Sequence, residues 1–201
     1  MIRIIGKIPR KVTIACSGGI DSMVFTHFLM QGKRKIELAY FNHDTAHARK
    51  SQLFVEQYAE EHKLNLHIGK VKNFKGKRSL EEFWRDERYS FLNSLDSNYT
   101  ITCHHLDDCV ETWLMSSFHG TAKIIPFRRC TDVYRPFLLT EKSSIKKYAA
   151  NKNISWIEDP SNQHTNFMRN HVRLNIVPQV LKVNPGIRKT IRKKVLELYV
   201  K

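Results

Sequence analysis

Val12-Thr13-Ile14-Ala15-Cys16-Ser17-Gly18-Gly19-Ile20-Asp21-Ser22 is the stretch whose reading decides the fold. An apolar, β-branched run enters a glycine doublet, and the residues that follow, Ser22 to Met30, keep an amphipathic helical pattern. Strand, tight turn and helix in that order are the repeating unit of a parallel sheet covered by helices. Two adjacent glycines let main-chain N–H groups converge on an anion with no Cβ in the way. The helix start adds a field that favours negative charge. Ser17 and Ser22 offer hydroxyl donors to phosphate oxygens. Asp21 is unsuited to a bare phosphate, so its expected task is to hold a divalent cation bound to one. Cys16, Ser17, Gly18, Gly19, Ile20, Asp21 and Ser22 are therefore read as a nucleotide site. The pattern is not the common P-loop, which needs four residues between glycines and then Gly-Lys-Ser/Thr.

Outward from this turn, apolar runs and helical patterns keep alternating. Ile36–Phe41 and Leu64–Ile68 read as the second and third strands. Ser51–His62 reads as a helix, with Phe54/Tyr58 and Val55/Ala59 at helical spacing. Lys70–Arg78 reads as a basic loop. Ser79 caps a helix running to about Leu95, with Glu82 three residues on to complete a capping box. Tyr99–Cys103 is the fourth strand, and Leu106, Val110, Leu114 and Phe118 trace one face of the next helix. Arg135–Leu139 reads as extended, with Thr140, Ser143 and Ser144 opening a helix to Ala150. The expected architecture is α/β: a parallel sheet flanked by helices, Rossmann-like, with its ligand beyond the carboxyl ends of the strands. Residues 1–160 form the nucleotide domain in this reading. Residues 161–201 form a basic helical extension of the same unit, in which Pro178 and Asn184-Pro185-Gly186 punctuate two short helices.

The 201 residues carry a formal net charge of +15. A small domain needs a magnitude of only about 2–8 for solubility, so the excess points to a polyanionic partner, most simply nucleic acid. The basic residues concentrate from Arg169 onward, where Glu197 is the one acid. No segment approaches the roughly 20 apolar residues of a membrane span, and the N-terminus is too short and polar for a signal peptide. Cys16, Cys103, Cys109 and Cys130 contain no Cys-x-x-Cys pair, so neither a disulfide framework nor a standard zinc site is expected. The expectation is a soluble cytoplasmic protein with no membrane partner.

A second constellation follows the fourth strand: Cys103-His104-His105-Leu106-Asp107-Asp108-Cys109-Val110-Glu111-Thr112. His105, Asp108 and Glu111 are three residues apart and share a face of a helix's first turns. Adjacent carboxylates at a strand end invite Mg²⁺, whose shell substrate phosphates complete. Helix capping is the alternative, and for Asp107 alone it is the favoured one.

With these residues the chain resembles the tRNA(Ile)-lysidine synthetases, a family of N-type ATP pyrophosphatases. Ser-Gly-Gly-x-Asp-Ser stands at Ser17–Ser22, Asn42-His43 follows the second strand, and Arg85-Asp86-Glu87-Arg88-Tyr89 matches an Arg-x-x-Arg-Tyr helix. His-His-x-Asp-Asp-x-x-Glu-Thr stands at His104–Thr112, then Arg135-Pro136, Glu158-Asp159-Pro160-Ser161-Asn162 and Arg169-Asn170-x-x-Arg173. The chain departs from the pattern at Asp44–Arg49, where Gly-Leu-Arg is usual, at Cys109 for Gln, and at His119-Gly120 for Arg-Gly. Many members carry further C-terminal domains that grip tRNA, and the residues here stop shortly after the expected catalytic portion.

The resemblance implies an ATP- and Mg²⁺-dependent ligase that joins L-lysine to C2 of the wobble cytidine in tRNA(Ile) with a CAU anticodon. ATP adenylates the C2 oxygen, pyrophosphate leaves, and the lysine amine displaces AMP. By the same resemblance Asp21, His105, Asp108 and Glu111 are the catalytic group, and His43 joins the ATP loop. Asp108 and Glu111 bind lysine's ammonium groups, and Arg85 and Arg88 its carboxylate. The arginines' alternative is a salt-bridged helix face with Glu81, Glu82 and Asp86. Mg²⁺ is assigned to Asp21 and Asp107. Arg169, Asn170, Arg173, Arg188, Lys189, Arg192, Lys193 and Lys194 are assigned to phosphates of ATP or tRNA. A homodimer or a partner chain is expected to supply further tRNA-binding surface. Two other readings stay open: a tRNA thiolase using Cys103 and Cys109, which otherwise are small core residues, and a non-catalytic tRNA-binding relative.

Overall fold

The computed structural model describes residues 1–72, 79–163 and 168–200. Six strands, β1 (Lys11–Ala15), β2 (Lys35–Asn42), β3 (Asn65–Lys70), β4 (Thr100–Ile101), β5 (Arg128–Arg129) and β6 (Val133–Tyr134), form one sheet in the order β3-β2-β1-β4-β6-β5. All pairings are parallel except the short β5–β6 edge. The helices are α1 (Ile20–Gln31), α2 (Ala46–Glu61), α3 (Leu80–Ser94), α4 (Leu106–Ser117), α5 (Lys142–Asn151), α6 (Met168–His171), α7 (Val177–Val183) and α8 (Ile187–Val200).

Register fixes where the site lies. Ile14 sits opposite Ile101, and Ile101 opposite Tyr134, so β1, β4 and β6 end side by side. The order runs outward through β2 and β3 on one side of β1 and through β4 and β6 on the other. Crevices at such a reversal are the usual ligand positions of open parallel sheets. α1, α4 and α5 begin just past the ends of these three strands.

Several elements differ from the pattern read in the sequence. The fourth strand keeps two ladder residues rather than the expected five, because Cys103 and His104 turn off towards α4. The segment at 136–139 is a turn, closed by the Thr140 N–H to the Phe137 carbonyl at 2.8 Å, and the strand itself is β6 just before it. A short apolar run is buried in either conformation, so its composition does not distinguish them. α2 starts five residues earlier than read, where Thr45 accepts a hydrogen bond from the Ala48 N–H. Ser79 caps α3 as expected, accepting from the Glu82 N–H at 3.2 Å. Most of the basic loop at 70–78 lies outside the described residues. Pro178 sits in the first turn of α7, where its missing N–H costs nothing, and the chain winds from α6 to α7 through a π-helical turn at Val172–Ile176. α8 is the long helix of this region, with 14 residues.

One core lies under α1 and α5, between them and the sheet, and includes Val12, Ile14, Phe25, Leu38, Ile101, Phe137 and Ile145. A second joins α4 to the C-terminal segment through Leu106, Val110, Leu114, Val172, Ile187, Ile191 and Val195. No helix among the described residues is long and apolar enough to cross a membrane. Phe25 and Phe137 stack with centroids 3.7 Å apart and no exposure, tying α1 to the turn before α5. Phe25→Ala is expected to cost about 3–5 kcal/mol, read as a lower urea midpoint at unchanged slope.

Candidate active site

The first wall is the glycine turn. Gly18 has φ +78°, a backbone that favours glycine, and is buried; Ser17 is exposed. Ser22 is not a phosphate donor in this conformation. Its hydroxyl donates to the Gly19 carbonyl at 2.9 Å and accepts from the Ser17 N–H at 3.2 Å, so it holds the turn from within. Cys16 lies beneath the turn, its thiol pushed up by burial. The Ile157 N–H donates to the Gly18 carbonyl at 2.9 Å, and the Asp159 carboxylate lies 3.7 Å from His47. The Glu-Asp-Pro-Ser-Asn segment thus forms the outer rim of the turn.

The second wall is the start of α4. The Asp108 carboxylate accepts from the His105 N–H at 2.9 Å. The His105 Nε2 lies 3.6 Å from both Asp21 and Asp108, joining the two sequence motifs in one cluster. Burial opposes a charge on His105, but the carboxylates of Asp108 and Asp21 prevail and raise its pKa. Burial also opposes ionisation of Asp108 and Asp21. The histidines beside Asp108, and His105 with Lys142 beside Asp21, hold both carboxyls below the usual range. Glu111 is 3% exposed and bound through both oxygens by Arg173, at 2.7 and 2.9 Å. Burial pushes its carboxyl up, and that bridge opposes the rise.

A cationic wall faces Asp108. Burial and the nearby charges of Arg135, Arg169 and Arg85 lower the Arg88 pKa, and its Nε is buried without a hydrogen-bond partner among the described residues. Arg135 donates to the Tyr89 hydroxyl at 2.9 Å and to the Pro126 carbonyl at 2.8 Å, and Arg169 to the Thr112 hydroxyl at 3.3 Å. Burial holds His104 at about 3. His43, with burial and then Arg88 acting on it, is at about 4. Both are neutral at pH 7. The His43 ring lies 5.2 Å from Trp84, and its Nδ1 is buried with no partner among the described residues. Arg85 is exposed on α3, close enough for its charge to act on Arg88.

The basic C-terminal residues divide in two. Arg188 binds Asp107 at 2.7 Å, and Arg192 binds Glu141 at 2.5 Å, so both are tied to the starts of α4 and α5. Lys189, Lys193 and Lys194 are exposed. Asn170 is buried and donates to the Ser161 carbonyl at 2.8 Å, an internal tie rather than a phosphate contact.

The donor set does not fit a preformed magnesium site. Both Asp21 oxygens are held by the Lys142 ammonium, at 2.6 and 2.7 Å. Asp107 accepts from the Lys142 N–H at 2.7 Å and from Arg188. Among the described residues no group of three His, Cys, Asp or Glu side chains is arranged for a metal ion. Asp21 and Asp107, the residues assigned to Mg²⁺ by the resemblance, are thus ion-paired with side chains of α5 and α8. Lys142, Arg135 and Trp84 join the site without having been expected there from the sequence. A lysine in the first turn of a helix, against the field there, was the readable signal for Lys142.

The PP-loop domain family matches residues 4–180 of the chain with this geometry. The tRNA(Ile)-lysidine synthase of Persephonella marina is 36% identical over 193 residues, 88% of this chain and 43% of that protein. The tRNA(Ile)-lysidine synthase of Staphylococcus aureus (strain COL) is 31% identical over 188 residues, 84% of this chain and 44% of that protein. The chain thus spans less than half the length of these curated relatives. The U34-tRNA thiolase NcsA of Methanococcus maripaludis, a structure with its [4Fe-4S] cluster, superposes with a TM-score of 0.77 at 17% identity, over 96% of this chain and 73% of that one, a likeness of fold. With a glycine turn after β1, an acid cluster opening α4 and a match over most of its length, the protein belongs to the PP-loop domain family.

Proposed function

We propose that this protein is an ATP-dependent ligase that attaches L-lysine to C2 of the wobble cytidine of tRNA(Ile). The observation that supports the reading is His105, set 3.6 Å from Asp21 and 3.6 Å from Asp108, which brings the acids of α4 next to the first turn of α1. ATP lies along the turn, and attack by the cytidine C2 oxygen on the α-phosphorus releases pyrophosphate. The Gly18 and Gly19 amides and the surrounding cations stabilise the charge that grows there. Lysine enters between acids and arginines: its ammonium groups meet Asp108 and Glu111, and its carboxylate meets Arg88, whose planar fork suits that anion. The ε-ammonium gives up a proton to one of these carboxylates, and the free amine attacks C2 and displaces AMP. Entry of lysine exchanges one cation for another at Glu111, where Arg173 is bound, and frees that guanidinium for phosphate.

The relatives' names and the family match favour this reading over sulfur transfer. Cys103 and Cys109 suit a thiolase poorly, since burial pushes both thiols up, which disfavours the thiolate that sulfur chemistry needs. A magnesium ion arriving with ATP, a cytoplasmic location, and a second copy or partner chain on the tRNA remain part of the proposal, as does the division at residue 160.

Incubation of the chain with tRNA(Ile), ATP and isotopically labelled lysine is expected to add one lysine to the anticodon cytidine, read by mass spectrometry of the digested tRNA. A gain of sulfur, or no gain, refutes the proposal. Glu111→Gln is expected to retain tRNA-dependent ATP–pyrophosphate exchange while the KM for lysine rises at least tenfold. Replacing Lys189, Lys193 and Lys194 together by alanine is expected to flatten the plot of log tRNA affinity against log salt by about 0.7–0.9 for each phosphate no longer neutralised. The same change at Arg188 and Arg192 acts through stability instead, seen in the melting curve.

A further inference from the structure

We propose that Lys142 is the protein's own cation for the nucleotide's phosphates, and that Asp21 positions this ammonium instead of holding a metal. The inference rests on reading the glycine turn as the ATP site, but not on what the ATP is used to modify.

Lys142 opens α5, a 10-residue helix, and its charge lies where the helix field disfavours a cation. Its position is nevertheless enforced from both ends. The Lys142 N–H donates to Asp107 Oδ2 at 2.7 Å, while Arg188 holds Asp107 Oδ1, so the stem's origin is fixed at the start of α4. The Nζ then reaches across to Asp21, on the first turn of α1, at 2.6 and 2.7 Å from its two oxygens. Those two bonds use two of the ammonium's three donors, leaving the third for a ligand. The bridge is also open: the Lys142 and Asp21 side chains are 30% and 31% exposed, unlike His105 at 4% beside them.

The chemistry asks for such a charge. When the C2 oxygen bonds to the α-phosphorus, the bond to the bridging oxygen breaks and its electron pair stays on pyrophosphate. A donor that meets those oxygens strengthens as their charge grows, which accelerates the step rather than merely tightening binding. No proton need be transferred. Asp21 leaves the pair neutral before ATP arrives and keeps the flexible ammonium at the start of α1, beside the glycine turn. A lysine serves this better than an arginine, because it is a compact point charge that shifts between carboxylate and phosphate with little rearrangement.

The test is calorimetric binding of inorganic pyrophosphate and of α,β-methylene-ATP to the full chain, at a series of Mg²⁺ concentrations, with melting curves for every variant. Lys142→Met keeps the stem and removes the charge. It is expected to weaken both ligands roughly tenfold to hundredfold, with Lys142→Arg recovering part and the Mg²⁺ midpoint unmoved. The double variant Asp21→Asn with Lys142→Met removes the pair as neutral side chains, which avoids a lone charge that destabilises the fold, and is expected to stay equally weak. Wild-type affinity in either methionine variant overturns the proposal. So does a Lys142→Met midpoint shifted to lower Mg²⁺, which makes Lys142 a plug on a metal site. Pyrophosphate binding involves neither tRNA nor lysine, so a failed lysine transfer with weakened pyrophosphate binding rejects the ligase reading and leaves this inference standing.

Discussion

A parallel sheet hands every strand to its helix at the same edge, and the rest of this structure follows from that constraint. β1, β4 and β6 are neighbours in register, so the helices that follow them, α1, α4 and α5, begin together. Unpaired N–H groups at such starts make the region electropositive before any side chain is considered. The sequence fills it with charge of both signs. Asp21, Asp107 and Asp108 fall in the first turns of α1 and α4, where the field favours them, and each is then matched by a cation or imidazole from elsewhere. Anion capture and acid placement are two uses of one electrostatic fact.

Several of the cations come from distant parts of the chain, and the C-terminal segment packs on α4 as it delivers them. Arg188 and Arg192 of α8 bind Asp107 and Glu141 at the starts of α4 and α5, while Ile187, Ile191 and Val195 pack on the core of α4. Helix α8 therefore presents three sides. One is apolar and inward, one is basic and committed to the site's scaffold, and one carries Lys189, Lys193 and Lys194 outward.

The strand–turn–helix order and the sheet class were legible because alternation of apolar runs with 3.6-residue patterns is a local signal. So was the meeting of Ser17–Ser22 with His104–Thr112, since both follow strands and parallel strands end at one edge. Ion-pair partners were not legible. Nothing local says that Lys142 meets Asp21, which depends on how α5 packs beside α1, or that Arg188 and Arg192 turn inward while Lys189 turns out, which depends on how α8 crosses α4. The segment Phe137–Leu139 misleads because a run of three apolar residues satisfies burial equally as strand or as turn.

The single main-chain bond from Ile157 to Gly18 has a mechanical consequence. The glycine at +78° cannot move without pulling on the segment that leads through Ser161, whose carbonyl Asn170 holds, to the winding that carries Arg173. The glycine turn and the guanidinium bound to Glu111 are two ends of one bonded path. A shift of the turn is thereby passed on to the ion pair that Arg173 makes with Glu111.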